Sequence, residues 1–231
     1  MAKAFNFLKK RYPKSKMIVV AHGLEITRLK SLRELKTMTK VVSSSDLVLS
    51  VSKFTRDEII NRLDRIDTNH VKFLPNGVDT NRFFPSKVEA AFLQKYNIPV
   101  GSDIILTLAR IIKRKAHDDV IKAIPDILTE FPKAHYVIAG PHRKKDPYLH
   151  YLKQLTKELS VEKHVTFIDF IPEEDLKKIY SASKVYVMAS RTLHETGDSE
   201  GFGITFLEAN ACGCPVIGSC LLYTSPSQRD R

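Results

Sequence analysis

The sequence predicts an α/β protein built on parallel sheets, and three observations carry that prediction. Short apolar runs recur at residues 103–108, 135–139, 164–168, 184–188 and 215–217. Each of the first four is followed by a stretch of helical periodicity, at 117–131, 147–160, 173–181 and 204–212. Uninterrupted apolar runs suit strands buried on both faces, and their alternation with amphipathic helices describes right-handed βαβ units. The third observation is a less regular version of the same alternation before residue 75.

The elements follow in order. Phe5 and Leu8 are spaced for one apolar face of a helix over residues 2–11. Met17-Ile18-Val19-Val20 reads as the first strand and ends at Ala21-His22-Gly23. A helix is expected over 28–42 and a strand over 46–51. Thr55 and Glu58 have capping-box spacing and should open a helix reaching Leu63. Residues 71–74 form a third strand, stopped by the turn Pro75-Asn76-Gly77. A short helix over 87–95 lies among Pro85, Pro99 and Gly101, a composition that marks a linker. The expected division is therefore a first domain at 1–85, a linker at 86–102 and a second domain at 103–218.

Composition narrows the function classes. The 231 residues are 43% hydrophobic, enough for one domain and part of another. No apolar run approaches the ~18 residues of a membrane-spanning helix. The start has no secretory pattern, so a cytoplasmic protein is expected. Cys212, Cys214 and Cys220 lack the paired spacing and histidines of a metal centre and read as small buried residues; no metal site is expected. The net charge is +11, with Lys9, Lys10, Arg11, Lys14, Lys16, Arg33, Lys36 and Lys40 near the start. Such a surface suits an anionic membrane, a phosphorylated substrate or nucleic acid. Aromatic residues are not interleaved with these cations, so a basic nucleic-acid-binding module is the lesser alternative and nucleic acid is not an expected partner.

In parallel sheets ligands sit at the carboxyl ends of strands. After residue 108 come Arg110, Lys113, Arg114 and Lys115, four cations in six residues, suited to a diphosphate. After residue 139 comes Gly140, which would let backbone approach a ligand closely. After residue 188 comes the loop Ser190 to Gly203, which enters an apolar helix at Ile204. Two glycines, Gly201 and Gly203, would expose that helix's first N–H groups. Glu208 lies inside the helix among Phe206, Leu207, Ala209 and Ala211, where a carboxylate needs hydrogen-bond donors. Sugar or ribose hydroxyls would serve, as would a nearby lysine. Glu200 stands just before the glycines.

Glu200 and Glu208 are separated by seven residues within Glu-Gly-Phe-Gly-Ile-Thr-Phe-Leu-Glu-Ala, followed by Gly213-Cys214-Pro215-Val216-Ile217-Gly218. This resembles the E-x7-E motif of family 4 retaining glycosyltransferases of the GT-B fold. Val51-Ser52-Lys53-Phe54, Pro75-Asn76-Gly77-Val78-Asp79 with Phe84-Pro85, and Leu108-Ala109-Arg110 through Lys115 resemble three further motifs of that family, in its order. The long loop with Arg191-Thr192 is similar to the GDP-mannose-dependent phosphatidylinositol mannosyltransferase branch. The resemblance implies two Rossmann-like domains, transfer of a hexosyl group, mannose by this loop form, to a lipid or glycan acceptor, and no cofactor or metal. The donor would be GDP-mannose, or a UDP- or ADP-sugar. A glycogen- or sucrose-synthase-like GT-B glucosyltransferase is the alternative enzyme.

The resemblance also implies roles. Arg110 and Lys115 would hold the diphosphate, and Glu208 the ribose. Glu200 would contact the donor sugar, as would backbone N–H groups over Gly201, Phe202, Gly203 and Ile204. Backbone near Ile171 would hold the base, and His22 would lie near acceptor and sugar. The basic first domain would dock peripherally on an anionic membrane. Three departures stand out. Ala116 replaces a usual glycine and, if its N–H approaches phosphate, is tolerated only with φ below zero. The first half of the acceptor domain is absent from this sequence. Residues 219–231 do not resemble the family and read as a non-native tail. A chain lacking both ends should expose apolar sheet faces, be marginally stable and be inactive by itself.

Overall fold

The structure, a computed structural model, describes residues 2–142 and 145–219. The expected non-native tail lies outside the described residues except for Ser219. The chain forms two compact units. One holds residues 2–76 and 192–202, and the other holds 77–191 and 203–219.

The first unit runs α1 (Ala2–Arg11), β1 (Ile18–Ala21), α2 (Leu24–Thr27), α3 (Leu32–Ser44), β2 (Leu47–Ser50), α4 (Lys53–Arg62) and β3 (Val71–Phe73). Its strands form a parallel sheet in the order β1-β2-β3, with Ile18 opposite Leu47 and Val48 opposite Val71. Local caps place its helices differently from the sequence pattern. Ser31 and Glu34 form a capping box, so α3 starts at Leu32 rather than at 28. Ser52, in extended backbone, accepts the N–H of Thr55 at 3.0 Å. Thr55 therefore sits inside the first turn of α4 and does not cap it. Val41, Val48 and Ile59 are fully buried between helices and sheet, each stabilising by about 2 kcal/mol relative to exposure.

The second unit runs α5 (Ala90–Lys95), β4 (Asp103–Leu108), α6 (His117–Glu130), β5 (Ala134–Ala139), α7 (Pro147–Glu158), β6 (Val165–Ile168), α8 (Glu173–Ala182), β7 (Ser183–Met188), α9 (Ile204–Ala211) and β8 (Val216–Gly218). Its parallel strands lie in the order β6-β5-β4-β7-β8. Chain order reverses between β4 and β7, so the topological switch point lies at their carboxyl ends. The α7 start shows how sequence sets a boundary. Asp146 accepts the N–H of Tyr148 at 2.9 Å, and Pro147 occupies the first helical position.

Residues 86–102, the expected linker, pack on the second unit. Phe92, Tyr96 and Ile98 are buried in the second unit. Ser86 N donates to Ser181 Oγ at 3.1 Å, and Lys95 Nζ and Tyr96 Oη each meet Asp175 at 2.6 Å. Proline and glycine there turn the chain onto the domain surface and do not release it. Among the described residues, Ile18 and Val20 on β1 are 58% and 43% exposed, and Ile217 on β8 is 57% exposed.

Candidate functional site

The expected site residues divide between the two units. Arg110, Lys115, Gly140, Ile171, Gly203, Ile204 and Glu208 belong to the second, and His22, Glu200, Gly201 and Phe202 to the first.

In the second unit the switch point gathers most of them. Arg110 is exposed just beyond β4. Lys113–Lys115 form one 3-10 turn, and Lys115 Nζ reaches Met188 Sδ, at the end of β7, at 3.2 Å. Arg114 instead turns inward and is only 4% exposed. The cationic loop therefore presents Arg110, Lys113 and Lys115 rather than four cations. Gly203 caps α9 with φ 78°, and a Cβ there would stand 3.1 Å from Met188 Cε. Lys115 and the α9 N-terminus thus share one neighbour. That arrangement suits an anion, which would meet cationic side chains and helix N–H groups together.

Ala116 corrects the sequence expectation. Its φ is +53°, left-handed, and it is fully buried. It receives this conformation because it must end the 3-10 turn and begin α6: its N–H donates to Lys113 O, and its C=O accepts from Asp119 N, both at 3.1 Å. The strain of roughly 1–2 kcal/mol explains why glycine would be at ease here. Gly140 makes a close approach within the structure, to the chain itself, because a Cβ would stand 2.1 Å from Ala109 O.

Glu208 has a tyrosine partner. Tyr180, fully buried on α8, donates its hydroxyl to Glu208 Oε2 at 2.7 Å. Burial raises the Tyr180 hydroxyl far above the usual tyrosine range, with Tyr186 and Glu208 adding to it. It therefore remains a donor across the working range of pH. Ile171 is buried in the loop after β6, beside exposed Phe170. Nothing in the sequence pattern marked Arg191 and Asp118 as a pair. The Arg191 guanidinium contacts Asp118, Arg191 Nη2 lies 3.1 Å from Asp119 Oδ2, and Arg191 N donates to Arg114 O at 2.9 Å. One residue thereby clamps the start of the long loop to the cationic turn. Asp118 is buried, which alone would raise its pKa, but Tyr148 and Arg191 outweigh that and hold it below the usual range.

In the first unit His22 is exposed at the end of β1. Glu25 accepts the N–H groups of His22 and Gly23 and so shapes this turn. Gly201 lies directly against it, since a Cβ there would stand 2.0 Å from His22 O. The structure therefore brings His22 beside the Glu200-Gly201 pair, with Glu200 and Phe202 half-buried. The loop is held by an Arg28–Asp198 ion pair and by Lys30 on the Glu195 carbonyl. Gly197, at φ 72°, lies where a Cβ would meet Thr27 O at 2.3 Å. Cys212 and Cys214 are buried free thiols. Among the described residues no group of three or more His, Cys, Asp or Glu is placed to hold a metal ion, and no helix is long and apolar enough to cross a membrane.

Known proteins resemble this chain. The chain is 30% identical over 211 residues to a GDP-mannose-dependent alpha-(1-6)-phosphatidylinositol monomannoside mannosyltransferase of Mycolicibacterium smegmatis, covering 91% of this chain and 53% of that protein. It is 28% identical over 181 residues to a mannosylfructose-phosphate synthase of Agrobacterium fabrum, covering 77% of this chain and 38% of the relative. The chain thus spans about half or less of the length of these relatives. Among solved structures, Anabaena Alr3699/HepE in complex with UDP and glucose matches with a TM-score of 0.75 at 18% identity, over 94% of this chain and 57% of that one. Sucrose-phosphate synthase from Thermosynechococcus elongatus matches with a TM-score of 0.73 at 21% identity, over 95% and 54%. These likenesses show the fold, the α/β architecture of GT-B glycosyltransferases. The family model described as glycosyl transferases group 1 matches residues 88–225. That match runs into the stretch which the sequence reading had set apart as non-native. On it, this chain belongs to the group 1 family of glycosyl transferases.

Proposed function

We propose that this chain supplies the donor-binding part of a retaining glycosyltransferase that moves a hexosyl group, here mannose, from a nucleotide-sugar to a lipid or glycan acceptor. The observation carrying this reading is the convergence of Arg110, Lys115 and the Gly203-capped α9 at the β4/β7 switch point, with Glu208 on the same helix. Arg110 and Lys115 hold the diphosphate, and Glu208 takes the ribose. Backbone beside Ile171 meets the base. Glu200 and the N–H groups over Gly201–Ile204 take the sugar, with His22 near sugar and acceptor. In the transfer the bond from sugar C1 to the phosphate oxygen breaks, and its electron pair leaves with the diphosphate. Arg110 and Lys115 offset that charge. The acceptor oxygen bonds C1 on the face just vacated, and its proton passes to the departing phosphate.

GDP-mannose is favoured as donor because relatives at about 30% identity bear that name, and the transfer uses no metal or other cofactor. The second reading, glucosyl transfer from UDP-glucose, draws on the Anabaena likeness. Peripheral contact with an anionic membrane from the cytoplasmic side is supported by α3, where Leu32 is 76% exposed beside Arg33, Lys36 and Lys40.

The test is calorimetric titration of the chain with GDP, UDP and ADP, with circular dichroism as the check of folding. GDP is expected to bind selectively, and Arg110→Ala or Glu208→Ala to weaken it by about 10-fold to 100-fold, the loss of one charge-assisted hydrogen bond. Preference for UDP or ADP would overturn the mannose assignment and leave the site standing. Unchanged affinity in both variants would overturn the site.

A further inference from the structure

Tyr180 and Glu208 lie 28 positions apart and meet through one hydrogen bond of 2.7 Å. Three features make this contact more than a buried tyrosine finding an acceptor. First, the ring is held from two sides. Phe83 packs edge-on at 6.2 Å and Tyr186 at 5.8 Å. Tyr186 in turn packs edge-on to Phe206 of α9 at 5.4 Å, and its hydroxyl meets Thr205 Oγ1 at 2.7 Å and Leu108 O at 3.2 Å. The hydroxyl of Tyr180 therefore has a position set by β4, β7 and α9 together. Second, Glu208 is half-buried in an apolar stretch, so a fixed donor decides its rotamer more strongly than it would in water. Third, a carboxylate has about four acceptor positions. One is occupied by Tyr180, which leaves capacity for the two hydroxyls of a vicinal diol.

The geometry points to Tyr180 as the positioning residue for Glu208, fixing its carboxylate in the orientation that receives the two ribose hydroxyls of a nucleoside diphosphate. This deepens the donor-site reading above and rests on it. Tyr180 touches no donor atom. Its effect is confined to whatever Glu208 contributes, and that confinement is what an experiment can read.

The experiment compares GDP with 2′,3′-dideoxy-GDP by calorimetry on the unmodified chain, Tyr180→Phe, Glu208→Gln and the double variant. Tyr180→Phe keeps the ring and its edge contacts. It is expected to weaken GDP about 10-fold, to leave dideoxy-GDP unchanged, and to add nothing once Glu208→Gln is present. Equal weakening of both nucleotides, or no weakening of GDP, overturns the assignment. If Glu208→Gln itself fails to distinguish the two nucleotides, the donor-site reading falls instead and takes the assignment with it. A readout that needs no variant at 180 is the Tyr180 hydroxyl proton resonance of the unmodified chain. It should move on adding GDP and stay put with dideoxy-GDP, and an unmoved resonance with bound GDP overturns the assignment.

Discussion

Acidification from pH 7 to pH 4 is expected to destabilise the second unit by several kcal/mol. Two histidines drive this. His117 is fully buried, with Nε2 3.1 Å from Arg110 O and Nδ1 without a hydrogen-bond partner among the described residues. Burial depresses its pKa from 6.5 to about 4; the Arg110 carbonyl opposes this and Lys115 reinforces it. His135 is 4% exposed on β5, and burial, with a smaller push from His164, takes it to about 4 as well. Between pH 6.5 and 4 the unfolded chain binds protons that the folded chain refuses, so stability falls as pH falls. Each histidine contributes roughly 3 kcal/mol across that window. Their sum is comparable with the lower end of the stability of an ordinary domain, about 5–15 kcal/mol. Asp118, held below its usual range, keeps its contribution down to the ordinary aspartate value and loses it as the pH falls on from there through the folded one. Urea unfolding followed by circular dichroism at pH 7, 6, 5 and 4 measures the slope. His135→Gln, whose amide can still meet Thr166 Oγ1, 2.8 Å from the present ring, should remove about half of it. A flat profile would show that these rings are not held neutral by burial.

Gly140→Ala is expected to cost about 3 kcal/mol or more. The added methyl would stand 2.1 Å from Ala109 O, 2.6 Å from Ala109 C and 3.2 Å from Arg110 N. All three are backbone atoms, so no side chain can swing away. The carboxyl end of β4 would have to shift, taking Arg110 with it, and nucleotide affinity should fall together with stability. Gly213→Ala is the reference. There φ is also positive, at +78°, but the nearest atom is Pro85 Cγ at 3.4 Å, so only the conformational penalty of about 1 kcal/mol applies. Equal urea midpoints for the two variants would refute the clash.

The second unit was legible in the sequence because its central strands, β4 and β5, are buried on both faces. Runs such as Ile104-Ile105-Leu106 and Tyr136-Val137-Ile138 leave no ambiguity of period, and β4 falls at 103–108 as expected. In residues 86–102 the proline and glycine content masked the burial of Phe92, Tyr96 and Ile98. The α4 start was misjudged because two hydroxyl residues, Ser52 and Thr55, compete for one cap. The strand-end rule singled out Arg110 and Lys115, and the structure places both just beyond β4, with Glu208 on α9. The partner of Glu208 stayed hidden, since no local pattern joins Tyr180 to a residue on another helix. The left-handed Ala116 was hidden for a different reason: composition says where glycine is missing but not what the backbone does without it.

The edges of the two sheets bear on how copies of this chain behave toward one another. β1 and β8 each end a sheet of the described residues and present the apolar residues Ile18, Val20 and Ile217 to solvent. A strand of this kind is a template for another strand. Opposing it is the net charge of +11, which keeps copies apart only over the Debye length, about 10 Å at 0.1 M salt and 3 Å at 1 M. Colloidal stability in this chain is therefore an electrostatic property: dilute buffer preserves dispersed molecules, while concentrated salt, normally a harmless additive, lets edge strands find each other.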